Sequence, residues 1–212
     1  MKLQKRDCPI KVTIKPLGSD LLDVEFDFGY DKLEYTPSTG GCFFDNQFGE
    51  FVCALYTLYH EKNCERYDGH SEWQERNYHT NNDNKIQATT VKIDWDGEGT
   101  FLSLELTREW DGNTILLRSS MDSWKTHREF VASDRDFCYA VAKACTEVIK
   151  QFGFYGYRYS TESEPIKIHQ LLFLKAYALD NMEARELTVV DEELDCCKSN
   201  FEKEMELLLF DM

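Results

Sequence analysis

Four residues that could bind a metal crowd into one short stretch: His60, Cys64, His70 and His79. Zinc takes three or four nitrogen or sulfur ligands in a tetrahedron. With Glu61 beside them as a base, these four make a metal-assisted hydrolase one reading of the chain. The spacing argues against it. Intervals of three, five and eight residues match no common finger or knuckle, and His60-Glu61 lacks the x-x-His that completes a zincin motif. The expectation is no cofactor, with zinc the metal these side chains would suit.

A second candidate chemistry is a cysteine nucleophile. Cys42 follows Gly40-Gly41, where glycines allow close approach of a substrate. Such a thiol needs a base and an orienting group. His60 and His169 are the options, and no local signature selects either. The sequence has no G-x-S-x-G, P-loop or G-x-G-x-x-G pattern, so phosphate cradles and hydrolase elbows are unsupported. Gly97-Glu98-Gly99 falls between two strand patterns, not ahead of a helix. Acidic pairs for glycoside chemistry cannot be singled out among 39 acids.

The aromatic run Phe152 to Tyr159 contains Tyr155, Tyr157 and Arg158. It could stack a sugar or base, as in a small-ligand sensor, pack as a tyrosine-rich strand, or anchor a protein interface. Trp73 belongs to the same supply of interface aromatics, with Trp95, Trp110 and Trp124.

Charge narrows the partners. The net charge is −15 and the pI is about 4.7. Phosphate backbones and anionic membranes repel such a chain, whereas a basic protein is attracted to it. Of the last 30 residues ten are acidic and three basic, which marks Glu202 and Glu206 as partner-facing candidates. No stretch is long enough in apolar residues to span a bilayer. The opening Met-Lys-Leu-Gln-Lys-Arg has no apolar leader core, so the eight cysteines are expected as free thiols in the cytoplasm.

The elements that must position these residues are legible in the periodicities. Ile10, Val12 and Ile14 alternate with Lys11, Thr13 and Lys15; Leu22, Val24, Phe26 and Phe28 alternate with Asp23, Glu25 and Asp27. An antiparallel register with Lys15 opposite Asp23 sets Lys11 opposite Asp27, Ile14 opposite Val24 and Val12 opposite Phe26, so both faces agree. The acidic row is thereby expected as paired surface charge. Phe48 to Tyr59 has helical spacing. Residues 60–85 contain no aliphatic residue and read as a long polar loop, of the kind that carries function or mobility.

Ile86–Trp95, Thr100–Trp110 and Thr114–Met121 read as a β-meander. Ile93 is expected opposite Leu102, Val91 opposite Leu104, Leu106 opposite Leu117 and Glu105 opposite Arg118. Asp111-Gly112 signals a type I′ turn. Ser133 can cap a helix over 133–152, whose stripe includes Cys138 and Cys145, with Gly153 just past its end. Helices are also expected over 164–179 and 191–209, the last with Leu194, Cys197, Phe201, Met205 and Leu208 on its buried stripe.

The expected fold is a single α+β domain over 1–212. One antiparallel sheet, the N-terminal hairpin plus the meander 86–121, is packed on one face by helices. The expected function is that of a non-enzymatic, acidic cytoplasmic protein that binds a basic protein partner, for example an inhibitor of the immunity or antitoxin type. Nucleic acid and membranes are not expected partners.

Overall fold

A computed structural model describes residues 3–16, 22–36, 47–59, 89–96, 101–109, 111, 113–121, 126–161, 167–180, 188–191 and 196–212. Only the backbone is described at 16, 47, 57, 89, 96 and 126 and over 154–161, 188–191 and 196–199.

Charge and apolar alternation align the first hairpin as expected. β1 (Lys11–Pro16) and β2 (Leu22–Asp27) pair antiparallel, with Lys15 opposite Asp23, Lys11 opposite Asp27 and Val12 opposite Phe26. β3 (Lys32–Tyr35) adds a third strand, burying Leu33 and Tyr35. The four-residue strand is too short for its alternation to stand out in the sequence.

The meander is present as β4 (Thr89–Asp96), β5 (Phe101–Arg108) and β6 (Thr114–Met121). Its first register differs from expectation by two. Ile93 lies opposite Leu104, Val91 opposite Leu106 and Trp95 opposite Leu102. A slip of two leaves every side chain on its own face, so the apolar pattern cannot detect it; the length of the connecting loop decides. The second register is as expected, with Leu106 opposite Leu117 and Glu105 opposite Arg118. Its turn is not type I′, which needs positive φ at both central residues. Among the described residues Asp180 is the one non-glycine with positive φ. Asp111 instead closes the turn with its carboxylate, accepting from the backbone N–H of Asn113 and Thr114 at 2.8 and 2.9 Å.

β7 (Thr126–Ser133) is a fourth strand that the alternation does not reveal. As an edge strand it fully buries, among its described side chains, only Phe130. Its core-side neighbour Arg128 pairs with Asp31 and lies over the Phe130 ring. The hairpin and the meander are not one sheet. The order is β1-β2-β3 in one and β4-β5-β6-β7 in another, with a third, two-stranded sheet of β8 (Thr188–Asp191) and β9 (Cys196–Ser199).

Among the described residues four helices complete the α+β arrangement: α1 (Gln47–Tyr59), α2 (Asp134–Thr161), α3 (Ile168–Ala178) and α4 (Phe201–Leu209). α1 is buried almost all round, at Phe48, Phe51, Val52, Ala54, Leu55 and Leu58, because it is packed against both β4 and α3. The apolar faces of the two larger sheets meet through aromatics. Phe26 of β2 lies 5.2 Å from Phe51, 6.3 Å from Trp95 and 6.1 Å from Phe137 of α2, and Phe28 stacks on Phe130 at 4.6 Å.

Ser133 accepts from the Asp136 N–H at the start of α2, at 3.5 Å. Cys138 and Cys145 are buried free thiols on its core stripe, and burial pushes the Cys145 thiol up to about 12. At Gly153 the backbone turns to φ 67 and ψ 165 before becoming helical again to Thr161. The helix stop after 152 is thus present, but the aromatic run beyond it is helical and not a strand. A Cβ at Gly153 would meet nothing within 4 Å, so the backbone angle alone penalises a side chain there. Gly153→Ala is expected to cost about 1–3 kcal/mol, read as a lower urea midpoint at unchanged slope.

The expected helix over 191–209 is replaced by the β8–β9 hairpin and the shorter α4. The β-branched run Thr188-Val189-Val190 favours a strand. Asn200 then starts the helix, its side chain accepting from the Lys203 N–H at 3.1 Å.

Candidate functional site

The outer faces of both larger sheets are ionic lattices that satisfy themselves. On β1-β2-β3, Lys32 reaches Asp27 at 3.0 Å and Glu25 at 3.2 Å. Asp27 is held below the usual carboxylate range by the Gly29 N–H and then by Lys32. Glu25 and Asp27 of the acidic row are thus ion-paired, through Lys32, while Asp23 stands opposite Lys15 in the register. On β4-β5-β6-β7, Arg118 joins Glu105 and Glu129, each at 3.0 Å. The next row reads Asp94, Ser103, Ser120, His127. Long side chains around the two serines leave a depression of about 460 Å³. A serine–histidine–acid relay needs the imidazole between hydroxyl and carboxylate. Here Ser103 donates directly to Asp94, and His127 stands two strands from Ser103, about 10 Å away by strand spacing. The row has the residue types of a triad in the wrong order.

A second polar cluster is interior. The Tyr177 hydroxyl donates to the buried Asp134 carboxylate. Tyr59 lies 4.4 Å from the Tyr177 ring, with the Arg108 guanidinium 5.0 Å from the Tyr59 centroid. Burial pushes both phenols upward. Neither tyrosine supplies a base near neutral pH, and Asp134 is closed to solvent.

α4 is different from both. Leu207 packs on Leu172 and Ala176 of α3. The buried Lys175 ammonium donates to the carbonyls of Phe210 at 2.9 Å and Leu208 at 3.4 Å. Asp211 is clamped by Lys150 at 2.6 Å and Lys5 at 2.9 Å, which lower its carboxyl to about 2. Met212 is buried in the main core. Held so firmly on one side, α4 turns Phe201, Met205 and Leu209 to the other. They recur every four residues on one stripe; Phe201 is 69% and Leu209 71% exposed. This corrects the expected buried stripe at Phe201, which is exposed; Met205 is partly buried, and Leu208 of that stripe does pack on the Leu172, Ala176 and Leu207 cluster.

Glu202 and Glu206, two of the predicted partner-facing residues, are exposed beside that stripe. Among the described residues no ion pair forms to Glu202, Glu204 or Glu206. Residues 200–212 carry four acids and one base, whereas on the two sheet faces acids and bases nearly balance. Tyr155, Tyr157 and Arg158 fall on the helical backbone after Gly153, and their side chains lie outside the described set. Trp73 and the metal candidates His60, Cys64, His70 and His79 lie outside the described residues, as does Cys42. Among the described residues no group of three or more His, Cys, Asp or Glu could hold a metal ion, and no helix is long and apolar enough to cross a membrane. Trp95, read from sequence as an interface aromatic, is fully buried. Among the described residues of α4 the exposed apolar side chains are Phe201 and Leu209, with Met205 partly exposed between them; the i, i+4, i+8 spacing is the one sequence signal for them.

Protein-family models, curated proteins and solved structures were all compared with this chain, and none matches.

Proposed function

We propose that this chain is a non-enzymatic, acidic cytoplasmic protein that binds a basic protein partner, in the manner of an immunity or antitoxin-type inhibitor. One observation carries the reading. α4 presents glutamates with no ion-pair partner among the described residues, next to exposed apolar side chains, on a chain of net charge −15. Unpaired charge steers a partner of opposite sign, and apolar area beside it provides affinity that charge alone does not.

The test is capture from the native cells at low and high salt, with the wild type and with Glu202→Lys/Glu206→Lys. The wild type is expected to bring down one stoichiometric basic protein, less of it at high salt. The double reversal is expected to lose that protein at both salts. A wild type that comes down alone at both salts overturns the proposal.

A further inference from the structure

We infer that the outward face of α4 is a docking site for a basic amphipathic helix of the partner, an inference that rests on the reading of the chain as an acidic binder. Phe201, Met205 and Leu209 run about 12 Å along the helix, two turns of apolar surface. Such a strip is the counterpart of an i, i+4, i+7 apolar seam on a second helix. The acids define what flanks that seam. At about 100° per residue, Glu202 and Glu206 border one side of the strip and Glu204 the other. A helix laid along it therefore has Glu on both sides, and Lys or Arg beside its apolar seam would meet them.

The same arrangement excludes a second copy of this chain. Two α4 helices packed antiparallel would set the Glu202/Glu206 flank of one against the same flank of the other. Packed parallel, that flank would face Glu204. Either way acid meets acid, without the cations that a stable pair needs. α4 is also suited to act as a fixed surface. Its opposite side is held by Leu207, its C-terminal carbonyls by Lys175, and Asp211 by Lys5 and Lys150. Docking on α4 thus orders little of this chain and costs little entropy.

The probe is a fluorescent 18-residue peptide with leucines at helical spacing on one face and lysines elsewhere. A scrambled peptide of the same composition, its leucines spread round all faces, is the comparison. Anisotropy is read at about 0.15 M salt with wild type, Phe201→Ser/Leu209→Ser and Glu202→Lys/Glu206→Lys. The amphipathic peptide is expected to bind the wild type at least about tenfold more tightly than the scrambled one. The serine pair is expected to erase that preference. Phe201 and Leu209 are so exposed that their replacement leaves the fold intact, as circular dichroism will check; the charge pair, which leaves the strip untouched, is expected to weaken both peptides. Equal, salt-sensitive binding of both peptides would overturn the helix-docking inference and leave the acidic-binder reading standing. Binding of neither would overturn both. Sedimentation of the wild type as a dimer that the serine pair dissolves would assign the strip to a second copy and overturn the inference.

Discussion

Replacing Trp95 with alanine is expected to cost about 3–5 kcal/mol, a large share of the roughly 5–15 kcal/mol that holds an ordinary domain together. Trp95 sits on the core face of β4 with no exposed surface. Its ring lies 5.6 Å from Phe51, 6.1 Å from Tyr35, 6.3 Å from Phe26 and 6.4 Å from Phe48. Its backbone carbonyl also accepts from the Tyr35 hydroxyl at 3.1 Å. One side chain therefore joins the three-stranded sheet, α1 and the four-stranded sheet. Truncation leaves a cavity bounded by rings that belong to different elements and cannot collapse together. The check is urea unfolding by tryptophan-independent circular dichroism, with Leu209→Ala as the control. That leucine is 71% exposed, and its loss is expected to shift stability by no more than about 0.5 kcal/mol. A Trp95→Ala midpoint close to the control's would mean that the two sheets do not meet at this residue.

Trp95 also marks the boundary of what can be read from sequence. The first hairpin is legible to the residue because charge pairing and apolar pairing each specify it, and both choose one register. The β4–β5 register is not, because alternation repeats every two residues and is blind to a slip of two. α2 is legible from its stripe and from Gly153, a position where only glycine is at ease. β7 is hidden because an edge strand needs one buried residue in three or four, and Thr126–Ser133 supplies Phe130 and little else. The outward strip of α4 is hidden for a different reason. Leu207 and Met205 are equally apolar letters, and what turns one inward is the position of Leu172 and Ala176 on α3, a tertiary fact. The same holds for the β8–β9 hairpin. Leu194 and Cys197 continue the helical spacing of Phe201 and Met205, and only the β-branched run and the Asn200 cap oppose it.

Lys175 provides the other large expected effect, on how stability depends on pH. The residue is fully buried on α3, donating to the carbonyls that end α4. Burial first, and then the nearby Lys150, push its ammonium down from the ordinary 10.5 to about 8, against the opposing pull of Asp211 and Cys145. The folded pKa is below the unfolded one. Between the two values the unfolded chain binds more protons, so this group's contribution to stability rises with pH. It is complete above about 10.5 and lost as pH falls to about 8. The full span corresponds to roughly 3 kcal/mol. Cys145 acts in the opposite sense above its ordinary value of 9.0, because its folded pKa is raised. A single stability curve would therefore mix the two, and a difference between variants separates them. Lys175→Met keeps the length of the side chain, removes the titrating amine and leaves Cys145 in place. From pH 7 to 9 the wild type is expected to gain about 1.3 kcal/mol relative to Lys175→Met, measured by urea midpoints at each pH. At pH 7 the two should lie close together. The methionine variant escapes the cost of a buried ammonium but leaves the carbonyls of Leu208 and Phe210 without their donor, a loss of about 1–3 kcal/mol. A difference that stays flat from pH 7 to 9 would show that Lys175 is not held as a desolvated ammonium. The hydrogen bonds to the carbonyls of Phe210 and Leu208 would then offset in full the cost of burying the charge.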